Sequence, residues 1–354
     1  MKRPANARLG FTLVELVIAT GLLALLMIAV FSLLDGALTM WDKAEVRREL
    51  GDRNSGVMDL MAGELRSMES GAHGDAWFDW FDFDTDGDEL RETAWPRLRF
   101  VRQASAAEVA RITALDPEPK LQPALVEVVY MVLPSNTDSL DHRSLGVLWR
   151  GVRLTSADTQ SFLADDFFRR TGDPAPGSVE EVTGGVLWLG VLCATQTSIV
   201  HDGWELGDEL ADAATAWDAW SKDRLDPTRH PWNVPGAGMP AVGDSALLPR
   251  RVRIELVLER EADLRRRTRL ADLVTASDNV IVVDDPHRIP ARGELVKIDG
   301  EWLEVGERIG SRVMVKRGLR GTPATVHEAG ARIHYGERLV REVPIELYRE
   351  DWNL

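Results

Sequence analysis

The hydropathy pattern is dominated by Leu16 to Leu34, nineteen consecutive uncharged and mostly apolar residues. At about 1.5 Å per residue a helix of that length spans roughly 28 Å, close to the ~30 Å hydrocarbon core of a bilayer. A helical pattern continues beyond it: Leu38 and Trp41, then Leu50, then Val57, Met61, Leu65 and Met68 at spacings of four, four and three. Arg47, Arg48, Glu49, Asp52 and Arg53 fill the polar side. Gly36, Gly51, Gly56 and Gly63 each weaken a helix by roughly 1 kcal/mol relative to Ala. The pattern predicts one long, bendable helix, half in a membrane and half packed on a head. Two helices broken near Gly51 to Gly56 are the alternative.

Past Gly71 the period changes. Arg97 to Arg102 largely alternates, and Ala104 to Leu115 predicts a short helix ended by Asp116-Pro117-Glu118-Pro119. Leu125 to Leu133 and Leu145 to Leu154 are rich in β-branched and aromatic residues and are joined by a polar loop, which predicts an antiparallel pair. Ser156 to Arg170 reads as helical, Asp173-Pro174-Ala175-Pro176-Gly177 as a breaker, and Val186 to Ala194 as a buried strand. Residues 201–246 hold Trp204, Trp217, Trp220 and Trp232 without a clear period. Leu248 to Glu259 alternates cleanly, with Val252, Ile254, Leu256 and Leu258 on one face, and Leu339 to Tyr348 supplies a strand to lie beside it.

Between those two strands, Asp278 to Tyr335 has its own rhythm. Short apolar runs at Val280–Val283, Leu295–Ile298, Trp302–Val305 and Val313–Val315 recur at tight spacing with Gly turns. That spacing predicts a small all-β barrel or sandwich.

Composition narrows the functional classes. At 354 residues the chain exceeds one ordinary small domain, and its formal charge of −15 argues against nucleic acid as a partner. Cys193 is the only cysteine, so no intrachain disulfide forms, and its apolar setting predicts a buried small hydrophobe. The sequence holds no Cys-x-x-Cys, His-Glu-x-x-His, P-loop or Gly-x-Ser-x-Gly motif. Gly243-Asp244-Ser245 precedes a strand and not a helix, unlike a hydrolase nucleophile turn. The seven His are scattered, and His327 and His334 read as loop or strand residues. The chain is expected to be no enzyme.

An acidic, aromatic segment, Trp77 to Glu89, contains Asp82-x-Asp84-x-Asp86-Gly87-Asp88. Alternate carboxylates with a glycine at the sixth position match the first half of an EF-hand-type calcium loop. The twelfth position is Thr93, where a bidentate Glu is wanted. Two readings stand: Ca²⁺ held by Asp82, Asp84, Asp86 and Asp88, and a solvated acidic loop. No other cofactor is expected.

The start of the chain carries the sharpest motif. Lys2, Arg3 and Arg8 precede Gly10-Phe11-Thr12-Leu13-Val14-Glu15, and the apolar run follows. A secretory signal peptide lacks its cleavage site here, and a plain signal anchor gives no reason for Gly10-Phe11 or for a charge beside the bilayer, which costs at least ~2.5 kcal/mol on insertion scales. The hexapeptide resembles the type III signal of type IV pilins and type II secretion pseudopilins. The resemblance implies that a prepilin peptidase cuts after Gly10 and N-methylates Phe11, and that Glu15 directs assembly. Loss of the leader would take the formal side-chain charge from −15 to −18. A basic leader and an acidic remainder put the N-terminus in the cytoplasm and the head outside. The resemblance implies that the membrane crossed once is the inner membrane and that the head is periplasmic.

A second, shorter set of motifs points the same way. A long helix with Leu65-Arg66, a Val129-Tyr130 strand, a Leu-x-Arg strand, Trp217-x-x-Trp220 and Leu248-Pro249-Arg250-x-Val252-Arg253 resemble the J class of minor pseudopilins. The Arg317-Gly318-Leu319-Arg320-Gly321-Thr322 series is similar to a small β module of phage-tail and surface proteins. The expected fold is α+β: a pilin-like long N-terminal helix on an antiparallel sheet, with an inserted small all-β module. The expected domains are a leader at 1–10, a transmembrane and fibre-core helix at 11–34, a head at 35–277, the β module at 278–338 and a final head strand at 339–354. The implied partners are prepilin peptidase, the other minor pseudopilins, the major pseudopilin and the inner membrane. A minor type IV pilin and a membrane-anchored extracytoplasmic binding protein are the alternatives.

Overall fold

A computed structural model describes residues 13–70, 73–83, 93–115, 125–134, 145–155, 161–163, 179–194, 217–219, 246, 248–249, 251–259 and 267–345. The chain forms two compact units, Met1–Glu49 and Leu50–Leu354. Helix α1 (Leu13–Arg66) contributes to both and runs unbroken through all four of its predicted weak points, Gly36, Gly51, Gly56 and Gly63. A Cβ at any of the four would meet nothing within 4 Å, so these glycines cost helix propensity without marking a close contact.

The second unit is built on an eight-stranded antiparallel sheet in the order β12-β7-β5-β4-β3-β2-β1-β6. Its strands are β1 (Ala76–Phe83), β2 (Thr93–Gln103), β3 (Leu125–Pro134), β4 (Gly146–Leu154), β5 (Val179–Ala194), β6 (Trp217–Asp218), β7 (Arg251–Leu258) and β12 (Glu337–Pro344). The predicted pair is present as β3 and β4, and the short helix as α2 (Ala106–Leu115). Val252, Ile254, Leu256 and Leu258 are all fully buried, as the alternation of β7 requires, and β12 pairs antiparallel beside it. Only Val343 of β12 is buried, so that strand is placed by its ladder more than by an apolar face. β5 starts earlier than its apolar run because Val179–Thr183 pair with β4. Of the helix expected over Ser156–Arg170, only 161–163 are described, and they form a turn.

Both faces of the central strands are covered. On one, Leu98, Phe100, Val126, Val128, Leu148 and Val152 are buried with Leu50, Val57, Met58, Met61 and Leu65 of α1. On the other, Phe162 packs on Val129 and Met131. Burying both faces removes the alternation that a half-solvated strand shows, which is why β3 reads as an almost continuous apolar run, while β2 keeps its alternation because the side chains of its second face are the buried Arg97 and Arg99.

The pairing of β5 shifts register against β4 between Thr183 and Val186 and against β7 between Val186 and Trp188, and Gly185 sits in that region with φ +71°. A Cβ at Gly185 would lie 2.2 Å from the Glu259 carbonyl oxygen, while the Gly185 carbonyl accepts the Glu259 N–H at 2.8 Å. Left-handed backbone and this close approach both demand glycine. Gly185→Ala is expected to cost about 2 kcal/mol or more and to lower the thermal midpoint, measured by circular dichroism of the full chain in detergent.

Between β7 and β12 the chain forms a second sheet, in the order β8-β11-β10-β9. Its strands are β8 (Val280–Val282), β9 (Leu295–Ile298), β10 (Glu301–Ile309) and β11 (Arg312–Leu319). Isolated bridges Lys297↔His334, Arg269↔Arg332 and Leu270↔Val283 carry the pairing from β9 round to the end of β8. The result is a small barrel with no bare edge between those strands, filled by Leu270, Val274, Ile281, Val283, Val296, Ile298, Leu303, Val305, Val313 and Ile333. Leu187 and Val257 of the large sheet, with Leu145 just before β4, share a core with Trp302 and Leu319 of the barrel, so the two sheets are packed together.

Candidate membrane and assembly helix

Within the first unit, Leu16–Leu38 is a 23-residue span long and apolar enough to cross a membrane, and none of it is buried. Leu22, Leu23, Leu25, Leu26 and Ile28 are all exposed, so the apolar surface extends around the whole helix. A helix apolar on every side is made to be surrounded by lipid or by other apolar helices. The one hydroxyl of its first turns is masked internally: Thr20 Oγ1 donates to the carbonyl region of Leu16 and Val17, 3.0 Å from each oxygen. Beyond the span, Met40 and Trp41 remain exposed, the latter at 77%. Glu45 and Arg48 then form an i,i+3 ion pair at 2.6 Å.

Gly10 and Phe11 lie outside the described residues. For Glu15 the description covers its helical backbone in α1 and not its side chain. Asp82 falls in β1, where it pairs with Ala94 of β2, and its side chain is likewise outside the description, as are Asp84, Asp86 and Asp88. The acidic run therefore begins on a strand of the β1–β2 hairpin, whereas an EF-hand loop joins two helices. Among the described residues no group of three or more His, Cys, Asp or Glu is arranged to hold a metal. Trp217 is fully buried in β6, Trp220 and Gly243-Asp244-Ser245 are outside the described residues, and Cys193 is a free, buried thiol whose pKa burial pushes up. A thiol in that state is inert.

Among the described residues of the second unit, buried charge clusters occur that the sequence pattern does not disclose, and three of them join its elements. The first is centred on Glu64 of α1. Its carboxylate accepts from Arg150 Nη2 at 2.6 Å, Arg102 Nη2 at 2.8 Å and the Tyr130 hydroxyl. Arg102 also binds Glu108 of α2, and Arg150 binds Glu180 of β5. Burial works to raise the Glu64 carboxyl, but the hydrogen bonds and charge of Arg150, with Tyr130 and Arg102, hold it below the usual carboxylate range. The cluster joins α1 to β2, β3 and β4 at one fixed rotation. Asn54 Nδ2, donating to the Glu337 carbonyl at 3.3 Å, and an Asp59–Arg341 ion pair hold the preceding turns to β12.

The second cluster lies on the opposite face of the sheet. Asp79 binds both Arg97 and Arg99, and Arg99 stacks 3.6 Å over Trp77. Glu127 accepts the Phe162 N–H at 2.9 Å. The third is in the barrel: Glu301 receives a two-pronged Arg317, at 2.6 Å to each oxygen, and His327 Nε2 at 2.8 Å. His327 Nδ1 is 2.7 Å from Asp299, which the Asp299-Gly300 turn holds at φ 50°. Burial works to raise the Glu301 carboxyl, yet Arg317, His327 and the Thr325 N–H bring it down to about 2. Burial works to lower the His327 imidazole, but its two carboxylate partners raise it. Regular spacing of charges in strands is the signal these residues leave in a sequence, and a solvated face leaves the same one.

Comparison of the chain with models of known families, with curated proteins and with solved structures returned no match.

Proposed function

We propose that the chain is a structural minor pseudopilin of a type II secretion system, inserted in the inner membrane and processed after Gly10. The observation that carries this reading is an exposed span, Leu16–Leu38, apolar on every side and preceded by Gly10-Phe11 and Glu15. Stored in the bilayer, such a helix is covered by lipid; drawn into a fibre, it is covered by the same helix of neighbouring subunits. In the fibre the new ammonium of Phe11 and the carboxylate of Glu15 of a neighbour offset part of each other's desolvation and fix axial register. The acidic head and its β barrel then lie in the periplasm and make lateral contacts near the fibre tip. No catalytic step is assigned to it.

Mass spectrometry of the chain from cells with an active prepilin peptidase is expected to find a methylated Phe11 as first residue. An intact Met1 start there sinks the reading. Glu15→Ala is expected to leave membrane insertion unchanged and to abolish co-assembly with the other pseudopilins. A membrane-anchored binding protein would tolerate that change, and a minor type IV pilin would co-assemble with a surface fibre.

A further inference from the structure

The apolar character of α1 does not stop where its membrane-length span does. Leu38 closes the span, and Met40 and Trp41 follow it at 75% and 77% exposed. Among the described residues Trp41 makes no hydrogen bond or ring contact, and every other tryptophan whose exposure is described is buried or half-buried. Leu50, at the start of the second unit, is the first residue after the span that is described as buried, so the packed face of α1 starts more than two turns beyond Trp41. Leu34, Leu38 and Trp41 recur at spacings of four and three, which puts them on one face of the helix, and Glu45 and Arg48 continue that face as an ion pair at 2.6 Å. The stripe passes from aliphatic to aromatic to a self-neutralised pair of charges as it leaves the span.

We infer that Trp41 is an interfacial anchor whose partner is the lipid headgroup layer, on the side of the bilayer that carries the second unit. This rests on Leu16–Leu38 being a membrane span, on which the proposed function also stands. Three residues of helix put Trp41 about 4.5 Å past Leu38, while the layer of headgroups and glycerol carbonyls outside the hydrocarbon core is roughly 5–7 Å thick on each side. An indole suits that layer, because its ring covers the ends of the acyl chains while Nε1–H donates to lipid oxygens. Glu45 and Arg48, about 6 and 10 Å farther along the helix, then fall at the outer border of the layer with water. Length alone does not fix the depth of the span. Its 23 residues are about 34 Å long against a core of about 30 Å, so the helix can tilt or slide by several ångströms at little cost. A side chain that prefers the interface to both hydrocarbon and water removes that freedom at one end. The same preference opposes withdrawal of α1 from the bilayer, so drawing the subunit into a fibre means taking this indole out of the interface.

The test is thiol labelling of the full chain in phosphatidylcholine vesicles, with a charged, membrane-impermeant maleimide present on both sides. Cys193 is the only native cysteine, and its thiol is buried and held protonated, so it contributes little background. Single cysteines are introduced as Leu26→Cys, Leu38→Cys and Met40→Cys, all at exposed positions of α1, each with Trp41 kept, with Trp41→Ala and with Trp41→Tyr. With Trp41 kept, Leu26→Cys is expected to be fully protected and Leu38→Cys and Met40→Cys to label slowly. Trp41→Ala is expected to speed labelling of Leu38→Cys and Met40→Cys about threefold or more, as the last turn rises towards water, and Trp41→Tyr to keep the slow rates. Equal rates with tryptophan and alanine beside a protected Leu26→Cys overturn the anchor and leave the membrane span standing. Leu26→Cys labelling as fast as a thiol in water overturns both. Slow rates that are lost when protein is diluted into excess lipid also overturn the anchor, because another copy of α1, and not lipid, would then be what covers Trp41.

Discussion

Glu64→Ala is expected to destabilise the Leu50–Leu354 unit by about 3–5 kcal/mol, the usual cost of removing one partner of a buried ionic cluster. The loss arises less from the missing attraction than from what stays behind. Arg102 and Arg150 keep their other partners, Glu108 and Glu180, but Arg150 loses two hydrogen bonds and the Tyr130 hydroxyl loses its acceptor, all in the buried contact between α1 and the sheet. Urea unfolding of the full chain in detergent is the measurement, with Glu64→Gln alongside. Glutamine keeps the shape and one acceptor oxygen, so its loss should be smaller and confined to the charge. The pH dependence has a definite sign. Glu64 is lowered in the folded state, so its contribution is complete above the unfolded carboxylate value near 4.3 and disappears as pH falls through the lowered folded value. Glu64→Gln is expected to flatten that acid limb; an unchanged limb would show that Glu64 is not what titrates there.

Glu301→Ala is expected to be about as severe, roughly 3–5 kcal/mol, with the damage concentrated in the barrel. One carboxylate there satisfies the Arg317 fork, His327 Nε2 and the N–H groups of Gly318 and Thr325. Removing it takes the acceptor from Arg317 Nε, His327 Nε2 and both N–H groups at once, leaving Arg317 its backbone carbonyl acceptors and His327 its Asp299 contact, in a region whose own core is small. Exchange protection in β10 and β11 should collapse while that of β3 and β4 persists; equal loss in both sheets would contradict a local role. Glu301 is brought down to about 2, so its contribution is complete above about 4.3 and fades as pH falls towards 2. His327 has the opposite sign: its pKa is raised, so its contribution is complete below about 6.5 and is lost as pH rises through the raised value. Barrel stability from this pair therefore peaks between about pH 4.5 and 6.5.

The clean alternation of Val252, Ile254, Leu256 and Leu258 was sufficient to read β7, because a strand with one buried face leaves a period-two trace. The stripe Leu50, Val57, Met61 and Leu65 likewise marked the packed face of α1. The barrel strands were legible for the same reason, although its structure begins near residue 267, ahead of the Asp278 that the pattern suggested. β1 was not legible. Asp79 and Asp82 interrupt its aromatics and read as a solvated acidic segment, whereas Asp79 is buried between Arg97 and Arg99. Nothing in the sequence pattern singles out Glu64, Lys297 or Glu301, and His327 read as a loop or strand residue.

What the sequence determined by itself is therefore local and periodic: an apolar span long enough for a bilayer, a helix that continues beyond it, the alternating strands, and the signal-like hexapeptide ending at Glu15. Only the tertiary structure decided which charges are buried and with whom. Glu64 meets Arg150 across 86 positions, and Lys297 meets Leu187 across 110. Periodicity assigns a side chain to a face, but the cost of burying a charge, and whether it is offset, depends on the residues that strand register and sheet packing bring to the same point.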